Sequence, residues 1–408
     1  MRHRKLLAYL MCGCLFLTAC VGGQSTGASS SEPQAETAEE ESGVTEEPQA
    51  ETAAGESDAA EEPQAETAAG ESNVAEEAAA QTETAADESA PAAEENASGR
   101  SAEASSADAA ATGSTQAAKE GDKSVVYFTG DISPEGLVNV YEALGWTPTG
   151  KVAVKISTGE PPASNYLRPE LIKDLVTLLD GTIVECNTAY GGSRAATAEH
   201  YQVAEDHGFM DIADFKILDE DGYMEIPVTG GTRLTGDLVG KAFTDYDSYV
   251  ILSHFKGHQM AGFGGAIKNS SIGLASSRGK VRIHSGGTSD TRWHDELQLE
   301  FLESMAEANS AVQDALGDRI IYINVMNRIS IDCDCDGHPE EPDIHDIGIL
   351  ASYDPVALDQ ACVDLALAAD GSERLKERIE DRQGLHTLEH AEEIKLGSRE
   401  YELKSIDE

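Results

Sequence analysis

Two imidazoles and two amines crowd one short stretch of this chain, as His254, Lys256, His258 and Lys268. The first three fall at alternate positions behind the apolar residues 249–252, which read as a buried strand. If extended backbone continues past that strand, the three side chains point to one side. Gly262, Gly264 and Gly265 then precede Lys268 and allow positive φ or close approach of a ligand. Imidazole titrates near neutrality and so suits proton transfer. His258, His254 and Lys268 are therefore the candidate catalytic groups, and Lys268, Gly262, Gly264 and Gly265 the candidate ligand-binding ones. The glycine–lysine order does not match the phosphate-binding P-loop, which needs Gly-Lys-Ser/Thr, and this argues against a nucleotide.

A second constellation is Cys333, Asp334 and Cys335 with His338 and His345. Thiolates and imidazoles suit zinc, iron or copper, although C-x-C is tighter than the usual zinc-finger spacing. A metal site, redox-active thiols and an ordinary surface loop all fit the residues. The loop follows a strand end, as the histidine stretch does, and this favours metal or redox chemistry at Cys333 and Cys335. A third feature is the glycine turn from Tyr190 to Arg194, which enters a helix. Its free amides and Arg194 suit an anion, and a turn needing glycine for geometry alone fits equally. His200 and His207 read as satisfied or surface residues, and Cys362 as a buried inert thiol.

The elements that must position these groups alternate. Residues 125–128, 152–156, 182–186, 249–252, 320–325 and 347–351 read as strands. Helices are expected over 134–144, from Pro169 to Gly181, up to Gly208, over 296–316 and from Pro355 through Ala368, with Asp354 as the cap. Residues 280–284 read as a short basic strand or loop, and the tail from Leu385 as one more helix and an edge strand. Short βαβ connections imply a parallel sheet with right-handed crossovers. The expected fold class is α/β: a Rossmann-like, mostly parallel sheet with helices on both faces, spanning residues 121–408 as one large domain or two tightly joined halves.

Ahead of it, residues 1–19 carry a basic start and an apolar run too short for an ordinary membrane span. Leu17, Thr18, Ala19 and Cys20 resemble a bacterial lipobox. That resemblance implies cleavage before Cys20, diacylglycerol attached to it, and a lipid-anchored, extracytoplasmic protein. Residues 20–120 are rich in Ala, Glu, Ser, Thr and Gly, with a Glu-Pro-Gln-Ala-Glu-Thr-Ala repeat at Pro33, Pro48 and Pro63. The repeat has no apolar face to bury, so it reads as a disordered acidic stalk that repels itself into extension. The formal charge of −46 argues against nucleic-acid partners, whose recognition rests on Lys and Arg meeting phosphates. The partners left are a small-molecule ligand and, through the lipid, a membrane; oligomeric state is not legible.

Residues 253–258, the Gly262-to-Gly265 loop, Lys268, Asn269 and Gly273 resemble the signature of the domain-of-unknown-function 362 family, bacterial proteins labelled uncharacterised Fe-S center proteins. The resemblance extends over 152–159, 190–208, 333–335, 346–364 and 400–403. Many members carry an inserted ferredoxin-like segment with C-x₂-C-x₂-C-x₃-C-P spacing. Residues 285–292 stand in its place here, without a cysteine. The order from His258 to Lys268 is also similar to nickel-pincer lactate racemases, and His284 follows Lys268 by 16 residues (284 − 268), the separation of a nickel-binding histidine in that family. This resemblance implies His258 as a proton-transfer base, Lys268 as the attachment point of a pyridinium-derived pincer, and His284 as a metal ligand. The metal is nickel, zinc or iron on these grounds. The expected function is a metal- or metallocofactor-dependent site acting on a small anionic molecule, with racemase- or isomerase-like proton transfer. A non-catalytic ligand-binding lipoprotein and an iron–sulfur or redox electron-transfer protein are the alternatives.

Overall fold

The computed structural model describes residues 123–294 and 296–408. The signal segment, Cys20 and the acidic repeat lie outside those residues. In chain order the elements are β1 (Ser124–Thr129), α1 (Pro134–Ala143), β2 (Val152–Lys155), α2 (Pro169–Leu178), β3 (Thr182–Glu185), α3 (Thr197–Asp206), β4 (Phe215–Ile217), β5 (Tyr223–Pro227), β6 (Gly236–Gly240), β7 (Ser248–His254), β8 (Lys256–His258) and β9 (Gly262–Gly264). There follow α4 (Ala266–Ser271), α5 (Ser277–His284), α6 (Gln298–Leu316), β10 (Ile320–Met326), β11 (Gly348–Ser352), α7 (Pro355–Ala368), α8 (Glu373–Asp381), α9 (His386–Glu393) and β12 (Tyr401–Ser405).

Eight strands make one sheet in the order β12-β1-β11-β10-β7-β2-β3-β4. Every neighbouring pair is parallel except the two that involve β11, which runs against both β1 and β10. The fold is the mixed α/β, mostly parallel architecture expected from the strand–helix alternation. Both faces are covered. On β7, Tyr249 and Ile251 join one apolar cluster with α4, α6 and α7, while Val250 and Leu252 join another with α1 and α2. A strand buried on both sides has no polar alternation, and this is why β7 and β10 read as continuous apolar runs.

Chain progression reverses between two adjacent strands. From β2 the chain moves outward to β3 and β4, and from β7 it moves the other way to β10 and β11. In open parallel sheets the crevice outside the carboxyl ends of the strands at such a reversal is where ligands bind. Lys155 ends β2, Glu185 ends β3 and His254 ends β7, so one edge of the sheet collects the ionisable groups.

Two local expectations are corrected. Residues 280–284 belong to the helix α5: the hydroxyl of Ser276 caps it by accepting from the Gly279 amide at 3.1 Å, and Gly279, Lys280, Ile283 and His284 form its buried face. That face holds Lys and His as well as Ile, which hid the helical period. The helix α8 was not foreseen, because it buries only Leu375 and Ile379 within a charged segment. Among the described residues no helix is long and apolar enough to cross a membrane.

The long helix α6 backs α4 and is latched by one buried carboxylate. Glu307 accepts from the amides of Thr232, Arg233 and Leu234 and from Nε2 of His390 at 3.2 Å. Burial by itself would raise its pKa, but His390 and the amides outweigh that and hold it down to about 2, from an ordinary 4.5. Its hydrogen bond raises His390 above the ordinary 6.5. A depressed carboxylate stabilises the fold above its unfolded pKa and loses that contribution as pH falls; a raised imidazole stabilises below its unfolded pKa and loses it as pH rises. The Glu307→Gln variant should thus be less stable than wild type by roughly 2–4 kcal/mol, in the range for breaking a buried hydrogen-bond network. Urea midpoints across pH should show the gap widest between about 4.5 and 6.5 and closing towards pH 2.

Candidate functional site

A cavity of roughly 350 Å³ opens at the switch-point crevice. His254, His258, Lys268, His284, Arg194, Gly264, Gly265, Cys333 and Cys335 all line it. The structure therefore brings together nearly every candidate from the two sequence constellations. Gly262 is not in the lining: a Cβ there would lie 3.0 Å from Gly384, so it serves close packing on the α8–α9 connection. His338 and His345 are exposed and stand outside the cavity.

His254, Lys256 and His258 reach the cavity on the alternation of an extended chain, carried past β7 by the β8–β9 hairpin. Gly257 between them leaves no room for a side chain, since a Cβ would lie 2.2 Å from the Ile331 carbonyl oxygen. Lys268 comes from α4, His284 from the end of α5, and the cysteines from the loop after β10. Asn269 ties these parts to the sheet: its amide donates to the carbonyls of Lys155 and Leu252 at 3.2 and 3.1 Å, at the ends of β2 and β7.

The three histidines hold different protonation geometries. Both ring nitrogens of His254 meet acceptors, with Nδ1 2.9 Å from the Asp334 carboxylate and Nε2 2.7 Å from the Asn327 carbonyl. Neither nitrogen is left for a substrate or a metal. In His258, Nδ1 accepts from the amides of Met260 and Ala261 at 3.2 and 2.9 Å. A nitrogen that accepts is bare, so the ring proton sits on Nε2. Burial, then the charge of Lys268, pushes His258 below its ordinary pKa, so it is neutral and donates from Nε2.

His284 has the reverse tautomer. Its Nδ1 donates to the Lys280 carbonyl at 2.7 Å, one turn earlier in α5, and its Nε2 has no hydrogen-bond partner among the described residues. The ring is clamped between Trp293 and Phe301, with centroids 3.8 and 4.6 Å away. Burial holds the ring well below its ordinary pKa, so it remains neutral. A neutral imidazole oriented through Nδ1–H···O=C, with Nε2 bare, has the posture of a metal ligand.

Cys333 and Cys335 are free thiols whose sulfurs lie within 4.8 Å of each other and of a His258 ring nitrogen. The hydrogen bond from Cys335 lowers Cys333 well below the ordinary thiol range; burial opposes this, and the charge of Lys268 and the neighbouring His258 assist it. Cys335 is raised correspondingly. Cys333 is thus the thiolate of the pair. Cys186 also borders the cavity, but burial pushes its thiol up and it donates to the Leu274 carbonyl at 3.3 Å.

In both glycine turns a carboxylate of the chain itself takes amides that a bound anion would use. Asp359, from α7, accepts from the Ala266 and Ile267 amides at 2.7 and 3.0 Å. Gly265 is needed for that approach, because a Cβ would lie 2.3 Å from the Asp359 carboxylate. In the other turn Glu160 takes the Ser193 amide and Arg194, the latter at 3.0 Å. The cations divide likewise. Lys155 pairs with Glu185 at 2.8 Å, Lys256 with Asp334 at 2.7 Å, and Arg194 with Glu160. Lys280 donates to the Ala275 carbonyl. Lys268 makes no hydrogen bond or ion pair among the described residues. It is the amine left for a ligand.

Sequence reasoning assigned no individual role to Glu160, Asp334, Asp359, Asn269, Lys155 or Glu185. A usable signal existed for the last two: each charge closes a short, mostly apolar strand, and a buried charge requires a partner.

Comparison with known proteins gives one family. The model described as Domain of unknown function (DUF362) matches residues 152–364. No curated protein matches the chain. The lactate racemase apoprotein structure from Thermoanaerobacterium thermosaccharolyticum is 15% identical, with a TM-score of 0.31, over 50% of this chain and 50% of that one. A Thermotoga maritima protein from a structural genomics consortium is 13% identical, with a TM-score of 0.31, over 64% of this chain and 58% of that one. The match thus spans only about half the length of either structure, and scores this low carry no inference about activity.

The opposite tautomers are directly measurable. Two-bond ¹H–¹⁵N correlation spectra at neutral pH should show His258 with a bare Nδ1 and protonated Nε2, and His284 with protonated Nδ1 and bare Nε2. The same tautomer in both rings would remove the division of roles drawn from them.

Proposed function

We propose that this chain, which belongs to the DUF362 family, is a metal- or metallocofactor-dependent enzyme acting on a small anionic molecule. The observation that carries the reading is the side-by-side presence of an oriented imidazole with a bare Nε2, at His284, and an amine without a partner, at Lys268. Burial costs the His284 ring solvation with no partner gained at Nε2, and the half-buried Lys268 amine opens on the same cavity. His284 would hold the metal and Lys268 would attach or pair with the group that carries it. Such a group supplies Lewis acidity or an electron sink.

The other groups have parts that follow from their contacts. His258 offers a proton from Nε2, and the Cys333 thiolate can accept one, so the cavity contains an acid and a base. His254, with both nitrogens engaged, orients Asp334 rather than meeting a substrate. Lys155, Lys256, Lys268, Lys280 and Arg194 outnumber the carboxylates of Glu185, Asp334 and Glu160 around the cavity. This local excess of positive charge, within an acidic chain, draws a small anion inward.

A four-thiolate ferredoxin cluster does not fit. Cys333 and Cys335 are two donors, Cys186 is turned to a carbonyl, and Cys362 lies on α7 beside Asn324, outside the cavity lining. A single ion on Cys333, Cys335 and His258 is the second reading, favoured by the mutual 4.8 Å limit of their donor atoms. His258 would first have to lose its Nε2 proton, which counts against it.

Metal analysis of anaerobically purified protein separates the two. In the leading reading His284→Ala abolishes the bound metal, whereas His258→Gln and Cys335→Ser retain most of it. Intact mass should also show a covalent addition that is absent in Lys268→Ala if the group is attached there. Metal content unmoved by His284→Ala would sink the leading reading. We propose further that the enzyme works outside the cytoplasm, tethered through Cys20. Detergent-phase partitioning of the full chain should be lost in Cys20→Ser.

A further inference from the structure

The cysteine half of the cavity supports chemistry that needs no metal. Cys333 and Cys335 occupy the first and third positions of a turn closed by a hydrogen bond from the Asp336 amide to the Cys333 carbonyl at 2.9 Å. Their sulfurs lie within 4.8 Å of each other. Thiols two residues apart in a turn have Cα atoms within the span a disulfide accepts. The Cys335 amide donates to the Cys333 sulfur at 3.4 Å, and a ring nitrogen of His258 lies within 4.8 Å of the same sulfur. Lys268, without a partner, lies in the same cavity. A backbone amide on the sulfur and an amine in the same cavity are features of a reactive thiol's setting.

We infer that Cys333 and Cys335 form a redox-active dithiol that reduces low-molecular-weight disulfides admitted to the cavity. The Cys333 thiolate attacks one sulfur of the incoming disulfide, and that bond breaks. The departing thiolate takes up the proton that Cys333 had shed, and a mixed disulfide is left on Cys333. Cys335 then attacks the Cys333 sulfur, forms the intramolecular disulfide and passes its proton to the second departing thiolate. The dithiol is oxidised by two electrons and the incoming disulfide becomes two thiols. Cys186 and Cys362 do not compete, because both are buried and held by the Leu274 carbonyl and Asn324. The inference stands apart from the leading metal reading, which rests on His284 and Lys268, and excludes the second, which would occupy the same two thiols.

The test uses the full chain, reduced, treated with a chelator and exposed to glutathione disulfide under anaerobic conditions, with peptide mapping by mass spectrometry. Wild type should yield a Cys333–Cys335 disulfide that dithiothreitol reverses. Cys335→Ser should stop at the intermediate, with a glutathionyl group on Cys333, and Cys335→Ala should do the same. An adduct on Cys335 in wild type, a mixed disulfide on Cys333 that never closes, or no modification of either residue would each overturn the proposal. Metal content measured on each preparation before the chelator is added keeps the two readings separate: loss of metal in His284→Ala leaves the disulfide result untouched, and the reverse holds for Cys333→Ser.

Discussion

At the carboxyl edge of the sheet the chain buries cations, and a buried cation must be matched. Lys155 lies against Glu185, Arg194 against Glu160 and Lys256 against Asp334, all at or near the ends of parallel strands. Burial pulls the Lys155 ammonium below its ordinary pKa even with Glu185 beside it; burial would raise the Glu185 carboxylate, and the Lys155 charge helps hold it down to about 2. Removing either member would leave an uncompensated charge, and so the strand ends are held in one arrangement. Beside these pairs, Lys268 and Nε2 of His284 have no partner among the described residues, and both side chains line the same cavity.

The same rule accounts for the turns. Glycine-rich turns before helices resemble anion sites, because both expose backbone amides. Here the anions come from the chain itself: Asp359 occupies the start of α4 and Glu160 the turn before α3. The glycines are retained for steric reasons, Gly265 to admit Asp359 and Gly257 to pass the Ile331 carbonyl. Asp359 thereby sets the angle at which α4 presents Lys268, and Asn269 on the same helix locks it to β2 and β7. A small helix is thus fixed at both ends by buried polar contacts.

Histidine identity alone did not define histidine role. His258 and His284 are both buried and neutral, yet two amides make one a donor at Nε2 and one carbonyl makes the other an acceptor there. Their difference lies in the backbone groups that face Nδ1. Residues 260 and 261 fold back on His258 in the turn between β8 and β9, while α5 places the Lys280 carbonyl under His284 by ordinary helical spacing. The helical state of α5, which reads as a strand or loop from its basic residues, decides that second contact.

The β–α alternation, the buried strands, the Asp354–Pro355 helix start and the residue types of the site were all legible in the chain, because period, caps and apolar runs are local properties. The alternation of His254, Lys256 and His258 is local too, and it carried directly into the cavity. What the tertiary structure decided were pairings between residues far apart: Glu185 with Lys155, Asp334 with His254 and Lys256, Asp359 with the start of α4. Those pairings select which charges are neutralised, while the turn between β8 and β9 and the helical state of α5 select which ring nitrogen is bare. A protonation state depends on the groups within a few ångströms, and only folding determines which groups those are.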